Sequence, residues 1–100
     1  MAKYRFTNKA IDDLRQIWDY TYEKWSEAQA EIYYHMIIDG CNKVAESPES
    51  GKNYSEISKD LKGYKAGRHI IFYRIFELNE PIIIRIMHDQ MDLKRRIKDY

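Results

Sequence analysis

Little in this sequence can carry covalent or metal chemistry. Its 100 residues include one cysteine, three histidines, four glycines and two prolines. A lone cysteine, Cys41, excludes an internal disulfide and a cysteine metal cluster, and it suits a reducing compartment. Cys41 also falls on an apolar helical stripe, where a packed thiol is the ordinary outcome. There is no His-Glu-x-x-His pair for zinc, no glycine-rich loop for phosphate and no nucleophile elbow, so hydrolase chemistry of those kinds has no support. No metal and no cofactor is expected. No apolar run approaches the ~20 residues that cross a bilayer. Residues 1–6, Met-Ala-Lys-Tyr-Arg-Phe, lack the apolar centre of a secretory signal, so a cytoplasmic protein away from membranes is expected.

The chain is, by contrast, rich in apolar and aromatic groups. With 44% apolar and 14% aromatic residues, nine of them tyrosine, it has the material for a core, and wholesale disorder is excluded. Aromatic rings with polar tips also suit a binding face. The length predicts one small domain, residues 1–100. Net charge is only +1, yet residues 1–50 carry six Lys/Arg against nine Asp/Glu, and residues 51–100 carry eleven against seven. A basic second half suits an anionic partner, while solvated surface charge explains any single residue as well.

Residues 3–6 alternate polar and aromatic, which predicts a short first strand. Thr7 or Asn8 can cap a helix in which Ala10, Leu14, Ile17, Trp18, Thr21 and Trp25 recur at helical spacing. That assignment leaves Asp12, Asp13, Arg15, Gln16 and Asp19 for its other face, and the helix ends near Lys24. Ser26 and Gln29 form a capping box for a second helix, whose stripe runs through Ala30, Tyr33, Tyr34, Ile37, Ile38, Cys41, Val44 and Ala45. So short a connection predicts an antiparallel helical hairpin. Gly40 inside that helix suggests close approach by another element. Ser47-Pro48 stops it, and residues 48–59 read as a polar surface loop. Strands are predicted over 61–65, 68–76 and 82–88, followed by a basic, helical tail over 89–100. The class is therefore α+β: a helical hairpin on one face of a small, mostly antiparallel sheet of three to four strands, with the other face partly open.

Strand parity divides the last hairpin. One face collects Ile71, Tyr73, Ile75, Ile82, Ile84 and Ile86, ending at His69 and His88, and is expected under the helices. The other collects Arg68, Ile70, Phe72, Arg74, Phe76, Ile83, Arg85, Met87 and Asp89. If Asn79-Glu80 centres a two-residue turn, Arg74 opposes Arg85, and directly opposed like charges destabilise a sheet. Either a local carboxylate (Asp89, Glu77 or one on the helices) relieves the repulsion, or the arginines line a groove for an acidic peptide or a nucleic-acid backbone. His69 and His88 have the chemistry of general acids or bases, and equally that of groups closing the end of a core. His35 falls on the polar side of the second helix.

The ordered residues Tyr4, Thr7-x-x-Ala10-x-x-Asp13-Leu14-x-x-Ile17-Trp18, Trp25-Ser26-x-x-Gln29-Ala30-x-x-Tyr33 and Ser47-Pro48-x-x-Gly51 carry a resemblance. Gly67-Arg68-His69-x-Ile71-Phe72-Tyr73-Arg74 and Arg85-Ile86-x-His88-x-x-Met91-Asp92 extend it over nearly the whole chain. The chain resembles the ParE-type toxins of the RelE/ParE toxin–antitoxin superfamily. The resemblance implies a bacterial toxin of a type II system, of the plasmid-stabilising kind, that poisons DNA gyrase without catalysis of its own. It also implies a ParD-type antitoxin whose C-terminal segment wraps the helical hairpin and sheet, in a hetero-oligomer built on an antitoxin dimer. The residues expected to meet that antitoxin are Trp18, Trp25, Tyr33, Arg68, Phe72, Arg74 and Arg85. Asp92, Lys94, Arg95 and Arg96 of the tail are expected at the target, with direct nucleic-acid contact secondary.

The RelE-like ribonuclease branch of the superfamily is the alternative, and there Arg68, Arg85, His88 and Tyr100 are of the right chemical types for cleaving mRNA. A third alternative is a degenerate, non-toxic module that only binds an antitoxin.

Overall fold

A computed structural model describes residues 3–77 and 80–90. Its elements run β1 (Arg5–Phe6), α1 (Asn8–Lys24), α2 (Glu27–Glu46), a 3-10 turn (Pro48–Ser50), β2 (Lys52–Asn53), β3 (Lys62–Ala66), β4 (His69–Ile75) and β5 (Pro81–His88). The strands form one five-stranded sheet in the order β1-β5-β4-β3-β2. Only β1 runs parallel to its neighbour, and the remaining pairs are antiparallel. The α+β class and the helical hairpin follow the sequence expectation. The sheet has one strand more than expected, because Lys52–Asn53 pairs with β3 inside the segment read as loop.

Both helices begin where a side chain can serve their first amides. Thr7 Oγ1 accepts Ala10 N–H at 3.1 Å, and Ser26 Oγ accepts Gln29 N–H at 3.1 Å, each satisfying a donor that a helix start leaves open. Thr7 also donates to the Ile84 carbonyl at 2.8 Å, which ties the start of α1 to β5. α2 buries Ala30, Ile37, Gly40, Cys41 and Val44. Gly40 marks its closest approach to the sheet: a Cβ there would lie 2.8 Å from Ile71 Cδ1. The core between hairpin and sheet includes Ala10, Leu14, Ile37, Cys41, Val44, Ile71, Tyr73, Ile83 and Ile86.

The second sheet face departs from expectation. Leu61, Ile70, Phe72, Ile84 and Met87 form a separate buried cluster, with Tyr54 and Ile57 packed against it. The polar loop therefore covers the face expected to be open. Its apolar residues Tyr54, Ile57 and Leu61 turn inward, held by Tyr54 N–H to the Leu61 carbonyl at 2.8 Å and Leu61 N–H to the Ser58 carbonyl at 3.1 Å.

The hairpin register differs as well. Ile75 faces Pro81 and Arg74 faces Ile82, whereas Phe72 faces Arg85. The turn is longer than two residues, and Ile84 is an extra residue on β5. Such a bulge reverses side-chain parity on one side of itself. Ile83 accordingly joins the helix-side core and Ile84 the opposite cluster, the reverse of the expected assignment, and Arg74 no longer confronts Arg85. His69 does pair with His88.

Candidate functional site

β1 pairs with Ile82 and Ile83, and among the described residues no strand lies beside the outer edge of β5 beyond them. Asp13 of α1 takes that place. Its Oδ2 accepts Ile86 N–H at 2.9 Å, and its two oxygens accept Arg85 Nε at 2.8 Å and Nη2 at 2.9 Å. Side-chain exposures of 16% for Arg85 and 11% for Asp13 make this a shielded, bidentate pair, the strong form of the interaction. This is not the polar helix face on which the sequence analysis places Asp13. Yet Ala10, Asp13, Leu14 and Ile17 stand at relative positions 0, 3, 4 and 7, the spacing of the buried stripe, and that signal was present in the sequence.

Beside this pair, two adjoining hollows of about 460 and 410 Å³ form a groove between α1 and the ends of β4 and β5. They share Tyr20, Thr21, His69 and His88. The first reaches inward to Asp13, Ile17 and Arg85, and the second outward to Trp25, Tyr33 and Arg68. Trp25, the residue that ends α1, is 74% exposed.

The Tyr33 hydroxyl accepts Arg68 N–H at 3.0 Å and stands 2.6 Å from His69 Nδ1. The hydroxyl and Nδ1 share one hydrogen bond, whose donor is set by the tautomer of the ring. Burial, and after it the nearby His88, push the His69 pKa down to about 4, so the ring is neutral at physiological pH. His69 and His88 meet edge to face, with centroids 5.2 Å apart. Asp89 bridges to Lys65 at 3.1 Å and lies 3.8 Å from Arg68 Nε. Lys65, more than any other neighbour, holds its carboxyl below the usual range.

Four of the seven residues expected to meet an antitoxin thus surround one groove: Trp25, Tyr33, Arg68 and Arg85. The other three lie elsewhere. Trp18 packs edge-on against Tyr34 at 6.0 Å. Phe72 is fully buried beneath Tyr54 and offers a partner no surface, a correction to its expected exposure. Arg74 is not on an open face either: it donates to the Lys59 carbonyl at 2.9 Å and to Ser58 Oγ, clamping the loop. His35 is exposed on α2. Tyr100, Asp92, Lys94, Arg95 and Arg96 lie outside the described residues. Cys41 is fully buried, and burial pushes its thiol up to about 12. Among the described residues, no group of three His, Cys, Asp or Glu side chains could hold a metal ion, and no helix is long and apolar enough to cross a membrane.

The sequence model of a family described as "ParE toxin of type II toxin-antitoxin system, parDE" matches residues 4–93. The chain belongs to the ParE toxin family. Among curated ParE proteins, Toxin ParE1 of Mycobacterium tuberculosis is 30% identical over 96 residues, spanning 96% of this chain and 98% of that protein. Toxin ParE of Escherichia coli is 31% identical over 100 residues, spanning 99% and 96%. A solved structure titled "Chromosomal ParDE TA system from P. aeruginosa" superposes with a TM-score of 0.74 at 18% identity, covering 88% of this chain and 96% of that one. The ParE fold is thus shared where little sequence is.

Proposed function

We propose that this ParE family member poisons DNA gyrase without catalysis of its own, and that a ParD-type antitoxin neutralises it by laying an acidic, apolar-anchored segment in the groove. The family supports the toxin role. The observation that carries the non-catalytic reading is the state of Arg85. A ribonuclease needs cations aimed at phosphate, and here the guanidinium is committed, bidentate, to Asp13. The groove supports the antitoxin role: Trp25, Tyr20 and Ile17 supply an apolar wall, and Arg68 an exposed cation at its rim. Tail residues Asp92, Lys94, Arg95 and Arg96 are the proposed contacts with the gyrase–DNA complex. Residues 1–100 act as one unit in this reading, in a cytoplasmic hetero-oligomer with the antitoxin.

The ribonuclease reading keeps one observation in its favour, since Tyr33, His69, His88 and Arg68 converge in the same groove. One pair of assays separates the two. Purified protein mixed with gyrase, ATP and supercoiled DNA is expected to accumulate trapped double-strand breaks while leaving mRNA intact in a translating extract. Cleaved mRNA with unaltered gyrase activity would overturn the proposal, and growth without arrest on expression would favour a non-toxic binder.

A further inference from the structure

His88 closes β5, and its Nδ1 accepts the backbone N–H of Gln90, two residues on, at 3.0 Å. An imidazole nitrogen accepts a hydrogen bond only while it carries no proton, so this ring is neutral with its proton on Nε2. The same Nδ1 stands 3.4 Å from Asp89 Oδ1. That oxygen is buried and has no hydrogen-bond partner among the described residues. Its sister Oδ2 takes Lys65 Nζ at 3.1 Å, and Arg68 Nε is 3.8 Å from Oδ1. Buried carboxylate oxygens without a donor are rare and destabilising, so this one calls for a reason.

We propose that His88, Asp89 and Gln90 form a proton-operated latch. While the ring is neutral, Nδ1 accepts Gln90 N–H and Asp89 Oδ1 goes unserved. When solvent delivers a proton to Nδ1, the nitrogen becomes a donor, releases the Gln90 amide and gives its hydrogen to Asp89 Oδ1. The Gln90 amide then loses that bond, and Asp89 draws less strongly on Arg68. Arg68 and His88 both line the groove, so the latch sets which donors the groove presents. It stands independently of the gyrase and antitoxin readings.

The surroundings suit a single-proton device. The ring meets His69 of β4 at 5.2 Å, with Tyr33 of α2 bonded to Nδ1 of that histidine. Tyr20 and Asp13 of α1 and Arg85 of β5 line the same hollows, and Lys65 and Arg68 flank Asp89. His69, with its pKa pushed down to about 4, stays neutral down to about pH 5. Asp89 stays ionised, held down chiefly by Lys65. A non-titrating version of the same bond exists elsewhere in the chain, where Asn53 Oδ1 accepts Ser55 N–H, also two residues on, at 2.7 Å. The substitution His88→Asn therefore installs an acceptor that no proton can switch off.

The test is NMR of the full chain from about pH 8 to about pH 5, on either side of the ordinary histidine pKa. Long-range imidazole spectra at the high end are expected to show His88 with hydrogen on Nε2, and the Gln90 amide to shift in step with the titrating ring. In His88→Asn that amide should hold its high-pH position throughout. In Asp89→Asn the pH-linked change at the Gln90 amide should move to lower pH, because a carboxylate that favours the charged ring is gone. Hydrogen on Nδ1 at high pH, a Gln90 amide indifferent to the titration, or an amide change at unmoved pH in Asp89→Asn would each overturn the latch. No measurement here involves gyrase or an antitoxin, so its failure leaves the proposed function untouched.

Discussion

Replacing Asp13 by alanine should be among the most damaging single changes in this chain. It removes the partner of a guanidinium whose side chain is only 16% exposed, together with the acceptor of Ile86 N–H. Breaking one side of a buried ion pair costs about 3–5 kcal/mol, because the remaining charge loses the partner that offset its desolvation. At roughly 4–8 °C per kcal/mol for a domain of this size, the melting temperature should drop by about 12–40 °C. Asp13→Asn keeps the shape and an oxygen for Ile86 N–H, and should lose about 1–3 kcal/mol by weakening the bond to Arg85 alone. Urea unfolding followed by tryptophan fluorescence measures both. The decisive quantity is the coupling in a double-mutant cycle with Arg85→Ala, expected at about 1–3 kcal/mol with the double variant less impaired than the sum of the singles. Additive singles, or a cost below about 1 kcal/mol for Asp13→Ala, would refute the view that this pair seals helix to sheet.

Other consequences are open to simpler measurements. Gly67 holds a φ of +62°, and a Cβ there would meet Met36 Cε at 2.5 Å and Tyr33 Oη at 3.0 Å. Thermal unfolding of Gly67→Ala should report a loss of about 1–3 kcal/mol, and an unchanged melting temperature would contradict that geometry. The His69 pKa is depressed from 6.5 to about 4 by burial and by His88, so between those values the unfolded chain binds a proton that the folded chain refuses. Its contribution to stability is complete above about pH 6.5 and fades as pH falls towards 4, by about 1–2 kcal/mol once partial solvent screening is allowed for. A His69→Gln variant should flatten that slope. Cys41, fully buried with its thiol pushed up to about 12, should resist thiol reagents until the protein unfolds. Labelling at the rate of a free thiol in native buffer would show the packing to be wrong.

The elements read most clearly from the sequence are those with local signals. Thr7, Ser26 and Pro48 mark helix ends through their own chemistry, and Gly40 signalled a close approach that a Cβ would obstruct. The bulge at Ile84 was not legible, since it depends on how a turn longer than two residues meets the strand pairing. A slip of one residue then moved Ile83 and Ile84 to opposite faces. The role of the loop was hidden for a different reason: Tyr54, Ile57 and Leu61 are isolated among polar residues, and only the sheet they cover gives them a common purpose. At the site, residue types were recognised before their arrangement. Trp25, Tyr33, Arg68 and Arg85 do surround one groove, but Phe72 and Arg74 went into the second cluster and its clamp. Asp13, which orders that groove, is hidden in the sequence among the neighbouring charges Asp12 and Arg15.

Among the described residues, the short β1 leaves part of β5 without a strand beside it, and the carboxylate of Asp13 occupies that stretch. An unpaired strand edge is a template on which another chain can build. Here the template is occupied at Ile86 by one acidic side chain reaching across from a helix. An extended partner seeking backbone pairing along β5 would first have to displace Asp13 from both Ile86 N–H and Arg85. Any segment that engages this side of the molecule is thereby directed to the side chains of the groove and away from continuing the sheet.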